Sequence, residues 1–307
     1  MQNVFQQTIS DKVSFNGIGL HSGKLSIVKL IPAKPNHGIV FKRIDLPNKN
    51  IIEASFENVT SAKLCTTLEN SSGSRVSTVE HLLAALYIAG IDSAIIEVDS
   101  QEIPIMDGSA KNFLEELKKT ELKKLNKKIK YLKILDKVEL VDGERKIQIT
   151  PKDSFEVDFE LKYQNRVIGN QRNSINFQKD KLKEVEESRT FCLYDDIQKI
   201  KEMGLAKGGT LDNAIVVDGN KVINKEGLRN DKEFVNHKIL DLAGDFLLSG
   251  YKILGKVYCY QGGHQLTNLF LHKLLKSKNK FKSLIFEEKI IKENKNLSQS
   301  LKLAANA

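Results

Sequence analysis

The chain has 307 residues, 40% of them hydrophobic and 28% charged, enough for one large or two ordinary domains with well-formed cores, so disorder is excluded as its dominant state. Lys+Arg number 48 against 39 Asp+Glu, a formal charge of +9, yet only seven of the 48 are arginines. Arginine is the side chain suited to bidentate phosphate and base recognition, so a lysine excess reads as solvated surface and nucleic acid is not expected as a partner. A lysine-rich α+β nucleic-acid-binding protein is kept as the alternative class. The longest nearly uninterrupted apolar stretch, Leu82 to Ile91, is too short to span a bilayer. MQNVFQQTISDKVSF carries no basic region followed by an apolar block, so a cytoplasmic location is expected. Cys65, Cys192 and Cys259 are odd in number and never form a C-x-x-C pair, which leaves histidine and carboxylate as the donors for any metal.

In chain order, Thr8 to Phe15 alternates as a strand, Asn16-Gly17 is a turn signal and Lys24 to Ile31 is a second strand candidate. Ser77-Thr78-Val79-Glu80 opens the helical run HLLAALYIAG, with Ser77 as N-cap and Gly90 as stop. Ala94 to Val98 reads as a buried strand, and Met106-Asp107-Gly108-Ser109 leads into a helix from Ala110 to Lys119. The lysine-rich segment Lys118 to Lys133 is the natural linker. Beyond it come strands near Tyr131 to Val141 and Phe155 to Leu161, and a helix from Asp195 to Met203. A long helix from Asp231 to Ser249, a strand from Ile253 to Tyr260 and a last helix after Gly262-Gly263 complete the pattern. Asp92 to Asp99 resembles Asp212 to Asp218, each after a glycine-stopped helix, which suggests two halves of similar design. The expected class is α+β, divided into residues 1–125 and 126–307.

Six histidines are few enough to weigh singly. His237 and Asp241 stand four apart on one helix face, with Asp245 a further turn along and Gly244 offering close approach. The alternative is a His-Asp pair on a solvated face. Glu80 precedes His81; residues adjacent on a helix point roughly 100° apart, so Glu80 could reach a water beside a metal on His81. Equally, Glu80 stands three residues after Ser77, where a capping-box glutamate returns a hydrogen bond. His264 follows Gly262-Gly263, where backbone can approach a ligand and where a carboxylate such as Asp245 would offset the helix N-terminus. His21 in G-I-G-L-H-S-G is at least as well read as a turn residue, and His37 and His272 as surface. His81, His237 and Asp241 together have the stoichiometry of a catalytic zinc site with one open position. Glu80 as base, His264 as acid and Thr190 or Lys238 near a developing oxyanion would complete a metal-assisted amide or ester hydrolysis.

Six ordered segments, S-T-V-E-H-L-L-A-A-L, E-I-P-I-M-D-G-S-A, S-R-T-F, L-D-N-A-I-V-V-D, F-V-N-H-K-I-L-D-L-A-G-D and G-G-H-Q-L-T-N, closely resemble the signatures of the UDP-3-O-acyl-N-acetylglucosamine deacetylase family. The resemblance implies a zinc-dependent enzyme that removes acetate from a UDP-linked, 3-O-acylated sugar in lipid A synthesis. It also implies two similar halves, each a helix pair on a β-sheet, with the site between them. Carried over, His81, His237 and Asp241 are the zinc ligands, Glu80 the base, His264 the proton donor and Asp245 its orienting carboxylate. Thr190 helps hold the oxyanion, Lys238 lies near the carbonyl and diphosphate, and Phe191 and Gly263 border the substrate.

Some positions depart from the family pattern. Cys192 stands where glycine is common, Asn230 replaces an aromatic and Gln261 a Lys or Arg near the diphosphate. Arg166 to Phe177 corresponds to the insert that forms an acyl-chain passage, though its composition is polar. Cys65 sits where related enzymes bind a second, inhibitory metal; a small buried residue is the simpler reading. Lys118 to Lys133 holds eight lysines and one glutamate, and Lys273 to Lys302 nine lysines and three glutamates, so the basic excess lies in a linker and a tail. The expected state is a monomer whose tail makes transient contact with the anionic inner-membrane surface.

Overall fold

Apolar residues at alternate positions of Val13–Ile18 and Leu25–Pro32 turn to one face and pair antiparallel, starting a sheet. The computed structural model describes residues 4–286; the polar tail beyond Phe286, with its expected membrane contact, lies outside the described residues. Six helices lie among them: α1 (Glu80–Ala89), α2 (Lys111–Leu117), α3 (Lys183–Glu186), α4 (Tyr194–Glu202), α5 (Glu233–Leu247) and α6 (His264–Lys276). None of the described helices is long and apolar enough to cross a membrane.

The fold is α+β. A five-stranded sheet runs in the order Val13–Ile18, Leu25–Pro32, Ala94–Val98, Ile39–Arg43, Ile51–Glu53. Its central strand, Ala94–Val98, is antiparallel to Leu25–Pro32 and parallel to Ile39–Arg43, and Ile96 and Val98 are fully buried. Helix α2 packs on this sheet, with Phe113 edge-to-face against Phe15 at 5.2 Å. In a seven-stranded sheet, Lys252–Tyr260 pairs antiparallel with Arg145–Pro151 on one side. On the other it is parallel first to Tyr131–Ile134 and then to Phe155–Lys162. Helices α5 and α6 lie on it; Phe246 of α5 packs on Phe155 of the sheet and Phe270 of α6. A small sheet of Phe191–Leu193, Ile215–Asp218 and Lys221–Val222 sits beside α4, and another joins Val59–Ser61, Thr67–Glu69 and Arg75–Val76.

Several local expectations change. Asn16-Gly17 is inside a strand, paired with Ile27 and Ser26, and a Cβ on the glycine would lie 3.0 Å from Pro104 Cβ, a tight contact. Ser77 is no N-cap: it bridges to Glu102, and α1 begins after Val79 without a side-chain cap. Within the supposed linker, Leu122–Lys128 is a strand that pairs with Phe5–Ile9, so the boundary at residue 125 falls within a paired strand. Arg166 to Phe177 contributes Asn170–Asn176, an edge strand on Phe155–Lys162, and its polar alternation is that of a strand with one solvated face. The likeness of Asp92–Asp99 to Asp212–Asp218 pairs unlike positions, since Ile215–Asp218 belongs to the small sheet. The closer counterpart of α1, Gly90 and the central strand Ala94–Val98 is α5, Gly250 and Lys252–Tyr260. Both glycines take positive φ, 77° and 73°, which lets the chain leave the helix and enter the central strand.

Helix α5 is buried along its length except at Lys238 and Leu247, and it crosses α1 closely. A Cβ on Gly244 would fall 2.1 Å from the Glu80 carbonyl oxygen and 3.1 Å from the Ala84 nitrogen. That approach sets the Glu80 and His81 side chains against those of α5. Replacing Gly244 by alanine must separate two helices whose flanks are already packed. Gly244→Ala is expected to lose about 1–3 kcal/mol of stability, as overpacking in well-packed cores does, measured as a lowered denaturation midpoint at unchanged m-value.

Candidate metal centre and its acid–base groups

The helical spacing of His237 and Asp241 puts both over the α1–α5 crossing, where they meet His81. The Nε2 atoms of His81 and His237 each lie 3.4 Å from Asp241 Oδ1, and all three residues are buried. Their rings stand edge to face, 4.9 Å between centroids. Asp241 Oδ1 has no hydrogen-bond partner although it is buried. An orphaned carboxylate oxygen facing two imidazole nitrogens is costly unless something positive sits among them. Ligand atoms on a tetrahedral zinc with bonds of about 2.0–2.1 Å are about 3.3–3.4 Å apart, close to the spacing found here. These residues therefore fit a divalent cation of zinc's ligand preferences. His237 Nδ1 lies 3.0 Å from the Ser188 carbonyl oxygen, the kind of outer contact that fixes which ring nitrogen faces a metal.

Three further ionisable groups, Glu80, His264 and Asp245, lie beside this triad. Glu80 Oε2 accepts from the Thr66 amide at 3.0 Å, which replaces the expected return to an N-cap. Its Oε1 stands 3.6 Å from His264 Nε2. His264 Nδ1 is 2.8 Å from Asp245 Oδ2, and the Thr66 hydroxyl donates to Asp245 Oδ1 at 2.7 Å. Lys238 Nζ donates to Asp241 Oδ2 at 2.8 Å and lies over the Phe191 ring, 5.5 Å from its centroid. Thr190 is fixed by backbone bonds, donating to Gly108 and accepting from Ile215 at 2.8 Å each. Gly263 is the extended residue before α6, and a Cβ there would meet open space. Gly262 is needed for fit, because its Cβ would strike Cys259 Sγ.

Burial and the cluster's own charges pull in opposite directions. Burial pushes the His237 imidazole down to about 3, only partly opposed by Asp241, so it is neutral and free to coordinate. Burial would lower His264 as well, but Asp245, Glu80 and Asp241 together outweigh it and push the imidazole up to about 10. Burial raises the Glu80 carboxyl, with His264 and His81 offsetting part of the effect. Asp241 is held well below the usual carboxylate range although burial opposes this, because His237, Lys238 and His264 surround it. Burial and then Glu80 push the Cys65 thiol up to about 12, so it stays neutral.

Sequence reasoning missed several supporting groups. Thr66 touches two of the carboxylates, and the C-T-T context of this residue carries no signal for it. Arg189, fully buried, donates to Glu233 at 2.8 Å and to the Gly227 carbonyl at 2.7 Å, clamping the Ser188–Thr190 segment onto the start of α5. Glu102 accepts from the His21 and Ser22 amides at 2.8 and 2.7 Å and so holds the G-I-G-L-H-S-G loop. A cavity of about 350 Å³ opens beside Thr190 and Phe191; its wall includes Leu20, Leu64, Ile197 and Val216. None of its lining residues belongs to Arg166–Phe177. Cys192 lines it, and His21 also does, its imidazole pushed down by burial despite Glu102. Of the departures, Gln261 is occupied by the Lys162 backbone, accepting at 2.8 Å and donating at 2.5 Å. Asn230 accepts from Lys232 and Asn236 near the start of α5. His37 is exposed as expected, whereas His272 packs against Phe56.

A buried His–His–Asp cluster able to hold a cation, with a carboxylate and a His–Asp pair beside it, has the composition of a hydrolytic centre. The sequence pattern of one family, UDP-3-O-acyl N-acetylglycosamine deacetylase (LpxC), matches residues 6–276, and the chain belongs to that family. It is 41% identical to the UDP-3-O-acyl-N-acetylglucosamine deacetylase of Pseudoalteromonas translucida (strain TAC 125), over 92% of this chain and 94% of that one. It is 42% identical to the protein of the same name from Geobacter sp. (strain M21), over 89% and 90%. The one from Haemophilus influenzae (strain 86-028NP) is 40% identical, over 92% and 94%.

Because His264 titrates higher in the folded, metal-free protein than the ordinary imidazole value of 6.5, its charged form adds stability below that value. The contribution disappears as pH rises from there through about 10. Chemical unfolding of metal-free protein should show stability falling across this window, and His264→Gln should flatten the slope.

Proposed function

We propose that the chain is a zinc-dependent deacetylase that hydrolyses the N-acetyl group of UDP-3-O-acyl-N-acetylglucosamine, releasing acetate and UDP-3-O-acyl-glucosamine in lipid A biosynthesis. The observation that carries the reading is the orphaned Asp241 oxygen between the His81 and His237 nitrogens, with Glu80 and His264 on its flanks. A zinc ion held by His81, His237 and Asp241 supplies Lewis acidity toward the amide carbonyl and toward water. Glu80, its carboxylate raised by burial, accepts the proton of the attacking water. Thr190 and Lys238 stabilise the negative charge that develops on the carbonyl oxygen. His264, protonated and oriented by Asp245, donates to the departing amine, so the C–N bond breaks with a neutral leaving group.

The cavity beside Thr190 and Phe191 suits the 3-O-acyl chain, because its wall is largely apolar. A second, polar cavity lined by Arg145, Lys162, Tyr163, Lys238 and Gln261 suits the nucleotide diphosphate, with Lys238 common to it and the reacting centre. Gln261 adds no charge there, so the grip rests on Arg145, Lys162 and Lys238. The proposed place of action is the cytoplasm. The alternative of a nucleic-acid-binding protein finds no support in the family or in the site.

Metal analysis of purified protein should find about one zinc per chain. His237→Ala should lose that metal, while Glu80→Ala should retain it and lose most turnover; a fully active Glu80→Ala protein would refute the role given to the carboxylate. Acetate release should depend on both the UDP and the 3-O-acyl groups. Equal rates on plain N-acetylglucosamine would overturn the substrate assignment.

A further inference from the structure

We propose that Thr66 is the positioning residue of the acid–base pair, its hydroxyl orienting Asp245 and through it His264, and its backbone amide orienting Glu80. The proposal rests on the roles given above to Glu80 and His264.

Thr66 is 2% exposed and lies immediately before the strand Thr67–Glu69, in neither of the helices it touches. Its hydroxyl reaches Asp245 Oδ1 at 2.7 Å, across 179 residues of chain. An ionised carboxylate only accepts, so the hydroxyl proton must point at Asp245. With Oδ1 engaged, Oδ2 is the oxygen left to face His264 Nδ1, at 2.8 Å. The His264 ring is then turned so that Nε2 points toward Glu80 Oε1, at 3.6 Å. The amide of the same residue donates to Glu80 Oε2 at 3.0 Å, which leaves Oε1 as the free oxygen of the base. One residue thus fixes which oxygen of each carboxylate works and which is held. The Thr66 carbonyl accepts from the Val79 amide, so the anchor is itself tied to the start of α1. A purely packing role would require only the β-branched shape; the two directed hydrogen bonds require a hydroxyl and a fixed backbone.

The hydroxyl is separable from the shape by mutation. In metal-loaded protein, Thr66→Val is expected to lower kcat about 10–100-fold, the usual effect of removing an outer hydrogen-bond partner. KM and metal content should stay within about twofold of wild type. Thr66→Ser keeps the hydroxyl and should restore most of kcat. The NMR resonance of the His264 Nδ1 proton supplies a readout that does not need turnover. It should move in Thr66→Val and return in Thr66→Ser. Should Thr66→Val not fold, Thr66→Ala takes its place with the same expectations. Wild-type kcat in the valine or alanine variant, or a serine variant as impaired as they are, overturns the proposal. A wild-type protein inactive on the UDP-sugar overturns the functional reading instead, and the His264 resonance still decides the role of Thr66.

Discussion

The approach of α1 and α5 at Gly244 is the constraint on which the site depends. Helices normally pack with their axes about 8–10 Å apart, the distance being set by the side chains between them. With no side chain at residue 244, the Glu80 carbonyl can occupy the space a Cβ would take. The side chains of Glu80 and His81 then reach over the α5 face that carries His237, Asp241 and Asp245. Neither helix alone presents a usable set of donors. The candidate triad takes His81 from α1 and His237 and Asp241 from α5, and the neighbouring Glu80 and His264 come from α1 and the start of α6.

Such a cluster concentrates charge where water is excluded. Glu80, Asp241 and Asp245 lie within hydrogen-bonding or ion-pairing reach of His264, His81, His237 or Lys238. Burial drives the His237 imidazole down, whereas the surrounding carboxylates outweigh burial at His264 and drive it up. Two residues of one chemical type thereby differ in charge at neutral pH, His237 neutral and His264 protonated. The Arg189–Glu233 pair serves a different end. It neutralises itself in the core and spends its hydrogen bonds on holding Ser188 and Thr190 against α5.

Local relationships were the legible ones. The i,i+4 spacing of His237 and Asp241, the glycine at 244 and the glycine stop at 90 are short-range patterns, and the structure keeps them. The family motifs also located the residues that the fold gathers into one centre. What sequence could not reveal is long-range or depends on what a segment packs against. Glu80 satisfies the capping-box spacing, yet its partner is Thr66 because the chain arrives at α1 through a Thr78 of positive φ, 56°. Asn16-Gly17 has turn composition, but the glycine serves close packing against Pro104. The lysines of 118–133 conceal a strand because a half-solvated edge tolerates charge at most of its positions. Asp212–Asp218 resembles Asp92–Asp99 since any short buried strand is an apolar run, whichever sheet it joins.

The apolar cavity beside Thr190 has walls of mixed parentage. Leu20, His21 and Leu64 come from the first part of the chain, while Phe191, Ile197 and Val216 come from the small sheet and α4. The two walls meet where Gly208 donates to the Leu20 carbonyl, at 3.0 Å, and where a Cβ on Gly208 would collide with the Gly19 carbonyl. A ligand that fills this space contacts both and is bound only while they are together. Occupancy and cohesion are thus thermodynamically linked: by mass action, each tenfold excess of ligand over its dissociation constant adds about 1.4 kcal/mol to the assembled state. The cavity is therefore both a receptacle and a seam that its contents help to close.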